Sequence, residues 1–123
     1  MKVKKVKIGI KSIKDMFDDV KKTVKKIEHG ERLKTVTEPE IYFTSFEAFR
    51  KALTPKRLEL LHLIRIKKPS SINELARIAK RDIKNIADDV KYLEQIGLIE
   101  KKETNNKIAP VIKYDKIALE IAV

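Results

Sequence analysis

The chain has no cysteine and no tryptophan among its 123 residues, and only three glycines and four prolines. Without cysteine there is no disulfide framework, no thiolate zinc site and no cysteine nucleophile. Three glycines leave little material for a loop that cradles a phosphate or a dinucleotide. Aromatic residues make up 6% of the chain, and after Phe49 they are Tyr92 and Tyr114 alone. Stacking platforms for single-stranded nucleic acid are therefore few. No apolar run approaches the length needed to cross a bilayer. The stretch MKVKKVKIGIKSIKDMF is basic but lacks the uninterrupted apolar core and small-residue cleavage site of a signal peptide. The expectation is a cytoplasmic protein with no membrane partner. Catalytic constellations are missing too: His29 and His62 have no triad partners, and the side chains of Asp18-Asp19 and Asp88-Asp89 diverge by about 100° on their helices. The residues suggest no metal, no cofactor and no enzyme.

What the chain has in excess is positive charge. Its formal net charge is +11 and its pI is near 9.8, which favours a polyanionic partner, nucleic acid first. The excess is uneven. Residues 1–26 hold ten lysines against Asp15, Asp18 and Asp19, a net +7. Residues 27–53 are close to neutral, and residues 54–123 carry +5.

The stretch Ser70 to Glu103 organises the rest. Ser71-Ile72-Asn73-Glu74 has the S-x-x-E form of a capping box. Leu75, Ile78 and Ala79 follow at helical spacing. A polar break at Lys80-Arg81-Asp82 comes next, with Asp82 placed as a second N-cap. Ile83, Ile86, Val90 and Leu93 form one apolar stripe, and Gly97 ends the second helix. That stripe turns Lys84, Asn85, Asp88, Lys91, Tyr92 and Gln95 away from the core. Beyond it, Leu98–Glu103 and Ile108–Tyr114 read as strands joined by Thr104-Asn105-Asn106-Lys107, whose asparagines suit positive φ. Two helices across a tight break, followed by a hairpin, make a winged helix-turn-helix outline.

The remainder is short elements. Val6, Ile8 and Ile10 alternate as a strand. Ser12 caps a helix whose apolar positions are Ile13, Met16, Phe17, Val20, Val24 and Ile27, and Gly30 stops it. Arg32–Thr37 reads as weakly extended, Ile41–Phe43 as a second strand, and Ser45 as the cap of a brief helix. Thr54-Pro55 opens a helix to about Ile66 that buries Leu58, Leu61, and Leu63 or Ile64. Ile117, Leu119, Ile121 and Val123 alternate as a closing strand, with Val6–Ile10 as its expected partner. The fold class is α+β: a winged helix-turn-helix at 54–123, and a strand-helix-strand-helix extension at 1–53 sharing a small sheet. The extension is assigned to dimerisation or partner binding.

Several passages carry a family resemblance. Asp89-Val90-Lys91-Tyr92-Leu93-Glu94-Gln95-Ile96-Gly97-Leu98-Ile99 resembles the recognition-helix-to-wing passage of MarR/ArsR-type transcriptional regulators. Lys7-Ile8-Gly9-Ile10, Ile41–Phe49, Leu53–Leu61 and Tyr114–Ile117 extend the similarity to the compact archaeal and bacterial group of MarR-like regulators, some of them antitoxin components. The resemblance implies a dimeric, sequence-specific binder of double-stranded DNA that acts as a repressor. Ile83 and Asp88 depart from the arginine or small polar residues common at those positions. The DNA-contacting set is Ser71, Lys80, Arg81, Lys84, Asn85, Asp88, Lys91, Lys101, Lys102, Asn105, Asn106 and Lys107. Lys84 and Asn85 are the groove readers, and Lys80, Arg81 and the wing lysines are the phosphate binders. The competing readings are an antitoxin-like protein that meets a toxin-like partner through its N-terminal segment, and an RNA- or ribosome-associated winged helix.

Overall fold

The computed structural model describes residues 4–30 and 40–121. The expected extended stretch Arg32–Thr37 and the last residue of the closing strand, Val123, lie outside them. The protein is α+β, with five helices and two small sheets among the described residues. It divides into two compact units, one built mainly from Leu53–Asp115 and the other from Lys5–Ala52 with residues 116–123.

In the second of these, β1 (Lys5–Ile10) is the middle strand of a three-stranded sheet. β2 (Glu40–Phe43) and β5 (Lys116–Ile121) flank it, both parallel to it. The register sets Val6, Ile8 and Ile10 beside Ile117, Leu119 and Ile121 on one side, and Ile8 and Ile10 beside Ile41 and Phe43 on the other. Strict alternation therefore gives the sheet one apolar face. Val6 and Ile8 are fully buried. On the opposite face Gly9 lies directly under the Tyr42 ring, where an added Cβ would sit 2.7 Å from Cε1. Lys7 lies between Glu120 at 2.8 Å and Glu40 at 3.9 Å. The hydrogen bond that Lys7 donates to Glu120 holds the Lys7 ammonium above its ordinary pKa, and Glu120 is correspondingly lowered by Lys7. Helix α2 (Phe46–Ala52) starts where the Ser45 hydroxyl accepts from the Ala48 amide at 3.1 Å, and Phe49 meets Phe43 edge-on at 5.7 Å.

Helix α1 (Ile13–Glu28) forms where the spacing predicts it, with the Ser12 hydroxyl accepting from the Asp15 amide. Gly30 follows in a left-handed conformation at φ 73°. Its apolar stripe is not core, however, because no residue of this helix is buried.

The other unit holds three helices and a hairpin around one core. Helix α3 (Pro55–Lys67) is capped by Thr54, whose hydroxyl accepts from the Arg57 amide at 3.2 Å. It buries Leu60, Leu61 and Ile64, whereas Leu58, expected inside, is exposed. Helix α4 (Ile72–Ala79) buries Leu75 and Ala76, and helix α5 (Ile83–Gln95) buries Ile86, Val90 and Leu93. Ile83 was expected on that stripe but is 46% exposed. It occupies the first helical position and borders an open depression with Ala76 and Arg77 of α4. Leu53, Leu98, Ile99 and Ala109 complete the core.

Both ends of the helix pair are fixed by the same device. At the end of α4, the Lys80 amide donates to Arg77 and the Arg81 amide to Ala76, with Lys80 itself left-handed at φ 55°. At the end of α5, the Gly97 amide donates to Glu94 and the Leu98 amide to Leu93, with Gly97 at φ 92°. These are Schellman endings. The first places a lysine where glycine is usual, at a backbone cost of about 1 kcal/mol. Strands β3 (Glu100–Thr104) and β4 (Lys107–Val111) then pair antiparallel. Asn105 and Asn106, at φ 50° and 63°, form their two-residue turn, the conformation that hairpins of this length require.

Candidate nucleic-acid interface

The break between α4 and α5 and the first turns of α5 present a group of exposed polar side chains suited to an anionic polymer. Lys80, Lys84, Asn85, Asp88 and Lys91 are all exposed. Burial of Ile86, Val90 and Leu93 dictates this for α5, since Lys84, Asn85, Asp88 and Lys91 fall away from that face of the helix. Asp82 adopts the N-cap position, yet its side chain makes no capping hydrogen bond. The amides of the first turn of α5 are thus left to water or a ligand. An open depression of about 620 Å³ lies beside this helix start, lined by Asn73, Arg77, Lys80, Arg81, Asp82 and Ile83.

Ser71 is half-buried and spends its oxygen on the Glu74 amide, 3.1 Å away. The capping box is only half formed. Glu74 bonds the amide and hydroxyl of Ser70, at 3.3 and 2.6 Å, instead of returning to Ser71. Those hydrogen bonds, the hydroxyl one first, hold the Glu74 carboxyl below its ordinary pKa.

Arg81 does not present its guanidinium to solvent as expected. Its Nη2 donates to Asp89 Oδ2 at 2.8 Å, and Arg57 Nε donates to Asp89 Oδ1 at 3.1 Å. A half-buried carboxylate without cations would be costly, so Asp89 draws in an arginine from the interhelical break and another from the start of α3. Arg57 also lies over the Tyr92 ring, 4.2 Å from its centre. Sequence reasoning missed this clamp. The available signal was the position of Asp89 beside Val90, at the edge of the buried stripe, whereas Asp88 one step away is exposed.

On the hairpin, Lys101, Lys102, Asn105, Asn106 and Lys107 are exposed. Lys101 approaches Glu94 at 3.7 Å, while Lys113 bonds Glu100 at 2.7 Å. That hydrogen bond raises the Lys113 pKa. Lys102 and Thr104 border a smaller cavity of about 320 Å³ with Arg65, Lys68 and Ser70. Strand β4 contacts α3 and α4, which joins the hairpin to the helices.

Among the described residues no group of three or more His, Cys, Asp or Glu side chains is placed to hold a metal ion. Nor is any described helix long and apolar enough to cross a membrane.

The fold and this surface define an α+β protein with a lysine-bearing unit of helix, left-handed break, helix and hairpin. Residues 52–119, which span that unit and most of β5, match the family model HVO_A0114, and the chain belongs to the HVO_A0114 family. No curated protein matches the chain.

Proposed function

We propose that the chain is a winged helix-turn-helix transcriptional regulator of the MarR/ArsR kind, which binds double-stranded DNA as a dimer and acts as a repressor. In this reading α4 and α5 are the helix-turn-helix, α5 is the reader and the β3–β4 hairpin is the wing. The observation that carries it is the uncapped start of α5, with Lys84 and Asn85 exposed in its first turn and Lys80 at the preceding break. Helix amides and lysines suit backbone phosphate, and asparagine pairs with an adenine edge in the major groove.

The surface also refines the assignment. Ile83 and Ala87 are exposed beside Lys84, and apolar groups there fit the thymine methyl. Asp88 accepts only from a donor such as the cytosine amino group, and it repels phosphate elsewhere. Arg81 is engaged by Asp89, leaving Lys80, Lys84, Lys91 and the hairpin lysines 101, 102 and 107 as the cationic contacts. Selection of bound duplexes from a random pool tests the whole reading. An enriched, two-fold symmetric sequence is expected. Equal retention of duplex RNA or single strands at the same salt would favour the RNA-associated alternative.

A further inference from the structure

Helix α1 carries an apolar seam that none of the described residues buries. Ile13, Phe17, Val20, Val24 and Ile27 are each between 47% and 65% exposed. They succeed one another in steps of four, three, four and three residues, the 3.5-residue repeat of a helix that pairs with another helix.

Charge along the helix is segregated. Its first half, Ile13–Val20, has Lys14 against Asp15, Asp18 and Asp19, and its second half, Lys21–Glu28, has four lysines against Glu28. Lys11 engages Asp19 at 2.6 Å, which leaves Asp15 and Asp18 as the acids for a partner. A helix of the same sequence running in the same direction would set lysines beside lysines. One running in the opposite direction sets Lys21, Lys22, Lys25 and Lys26 beside the acidic half. A two-fold axis through the seam produces that antiparallel arrangement.

We infer that α1 is the dimer interface of this protein, pairing antiparallel with α1 of a second copy along the Ile13–Ile27 seam. The five side chains present roughly 500 Å² of apolar surface, the size of patch that marks interaction sites. The stems of the flanking lysines extend it toward the ~800 Å² per partner of a stable interface. This deepens the dimeric regulator proposed above and rests on that reading for its consequence on DNA alone.

The absence of cysteine makes the test direct. Sedimentation equilibrium of the full chain should show a dimer, and F17Q/V20Q should weaken association by about 100-fold or more. Because both positions are exposed, the circular dichroism of the variant should be unchanged. With a short thiol-reactive cross-linker, V20C should link to itself. I13C should link to I27C in a mixture and not to another I13C chain. A monomeric wild type, a dimer that survives F17Q/V20Q, or I13C linking to itself would each overturn the inference. Duplex binding is measured separately on the same samples. A seam-paired dimer that ignores DNA refutes the regulator and leaves the interface standing.

Discussion

Replacing Asp89 with alanine isolates the contact that ties α5 to the preceding break and to the start of α3. The carboxylate accepts from Arg57 Nε at 3.1 Å and Arg81 Nη2 at 2.8 Å, and its side chain is 15% exposed against 20% and 23% for the two arginines. A hydrogen bond to a charged group contributes about 1.5–3 kcal/mol net, and breaking a fully buried ion pair costs about 3–5 kcal/mol. The residual exposure screens part of this, so Asp89→Ala should cost about 3 kcal/mol. In a small unit that corresponds to a drop in Tm on the order of 10 °C. Arg81 Nη1 is already buried without a hydrogen-bond partner among the described residues, so removing Asp89 adds Nη2 as a second unmet donor. The paired control is Asp88→Ala, one residue away and exposed, which should change stability by less than about 0.5 kcal/mol. Urea and thermal denaturation followed by circular dichroism read both. Equal stability of the two variants would refute the assignment of Asp89 as a clamp, and with it the explanation for why Arg81 faces inward.

Three further outcomes follow from the same structure. Gly9→Ala should destabilise by about 1–3 kcal/mol, because its Cβ would meet the Tyr42 ring at 2.7 and 2.8 Å; thermal denaturation with an unchanged Tm would show that the ring yields freely. Ser71→Ala should cost about 1 kcal/mol by removing a formed cap, whereas Asp82→Ala, which removes none, should cost little; chemical denaturation of both tests the contrast. The Glu74 carboxyl is lowered in the folded state by Ser70, so its contribution is present above the ordinary glutamate pKa of about 4.3 and is lost as pH falls below it. Acid titration of stability should therefore be shallower in that range for Ser70→Ala, and an identical profile would show that the hydrogen bond is not kept in solution.

Much of the fold is legible in local sequence because local chemistry decides it. Ser12, Ser45, Thr54 and Ser71 all cap the helices they precede. Gly97 and the Asn105-Asn106 pair take the positive φ their turns need. The alternation at Val6–Ile10 and Ile117–Ile121 produced two strands that pair with each other. Periodicity alone was a weaker guide to what is buried. Ile83 and Leu58 fit an apolar spacing but lie near helix starts, where they stay nearly half exposed. The stripe of α1 fits as well, yet a stripe reports only that something should cover the helix, not whether this chain supplies it. On the surface, Lys84, Asn85, Asp88 and Lys91 emerged by elimination from the buried face of α5. Arg81 could not be placed that way, because its partner Asp89 lies eight residues on and Arg57 lies on another helix.

The most direct measurement is the salt dependence of affinity for a selected duplex, compared between the wild type and Lys84→Ala. If the start of α5 meets phosphate and base edges, binding should weaken steeply with salt. Loss of the Lys84 contact should then reduce the logarithmic slope by about one. Asp88→Asn should tighten binding by relieving repulsion. Wild-type protein that fails to hold duplex DNA at low salt, or a Lys84→Ala slope and affinity equal to wild type, would contradict the placement of α5 as the reader.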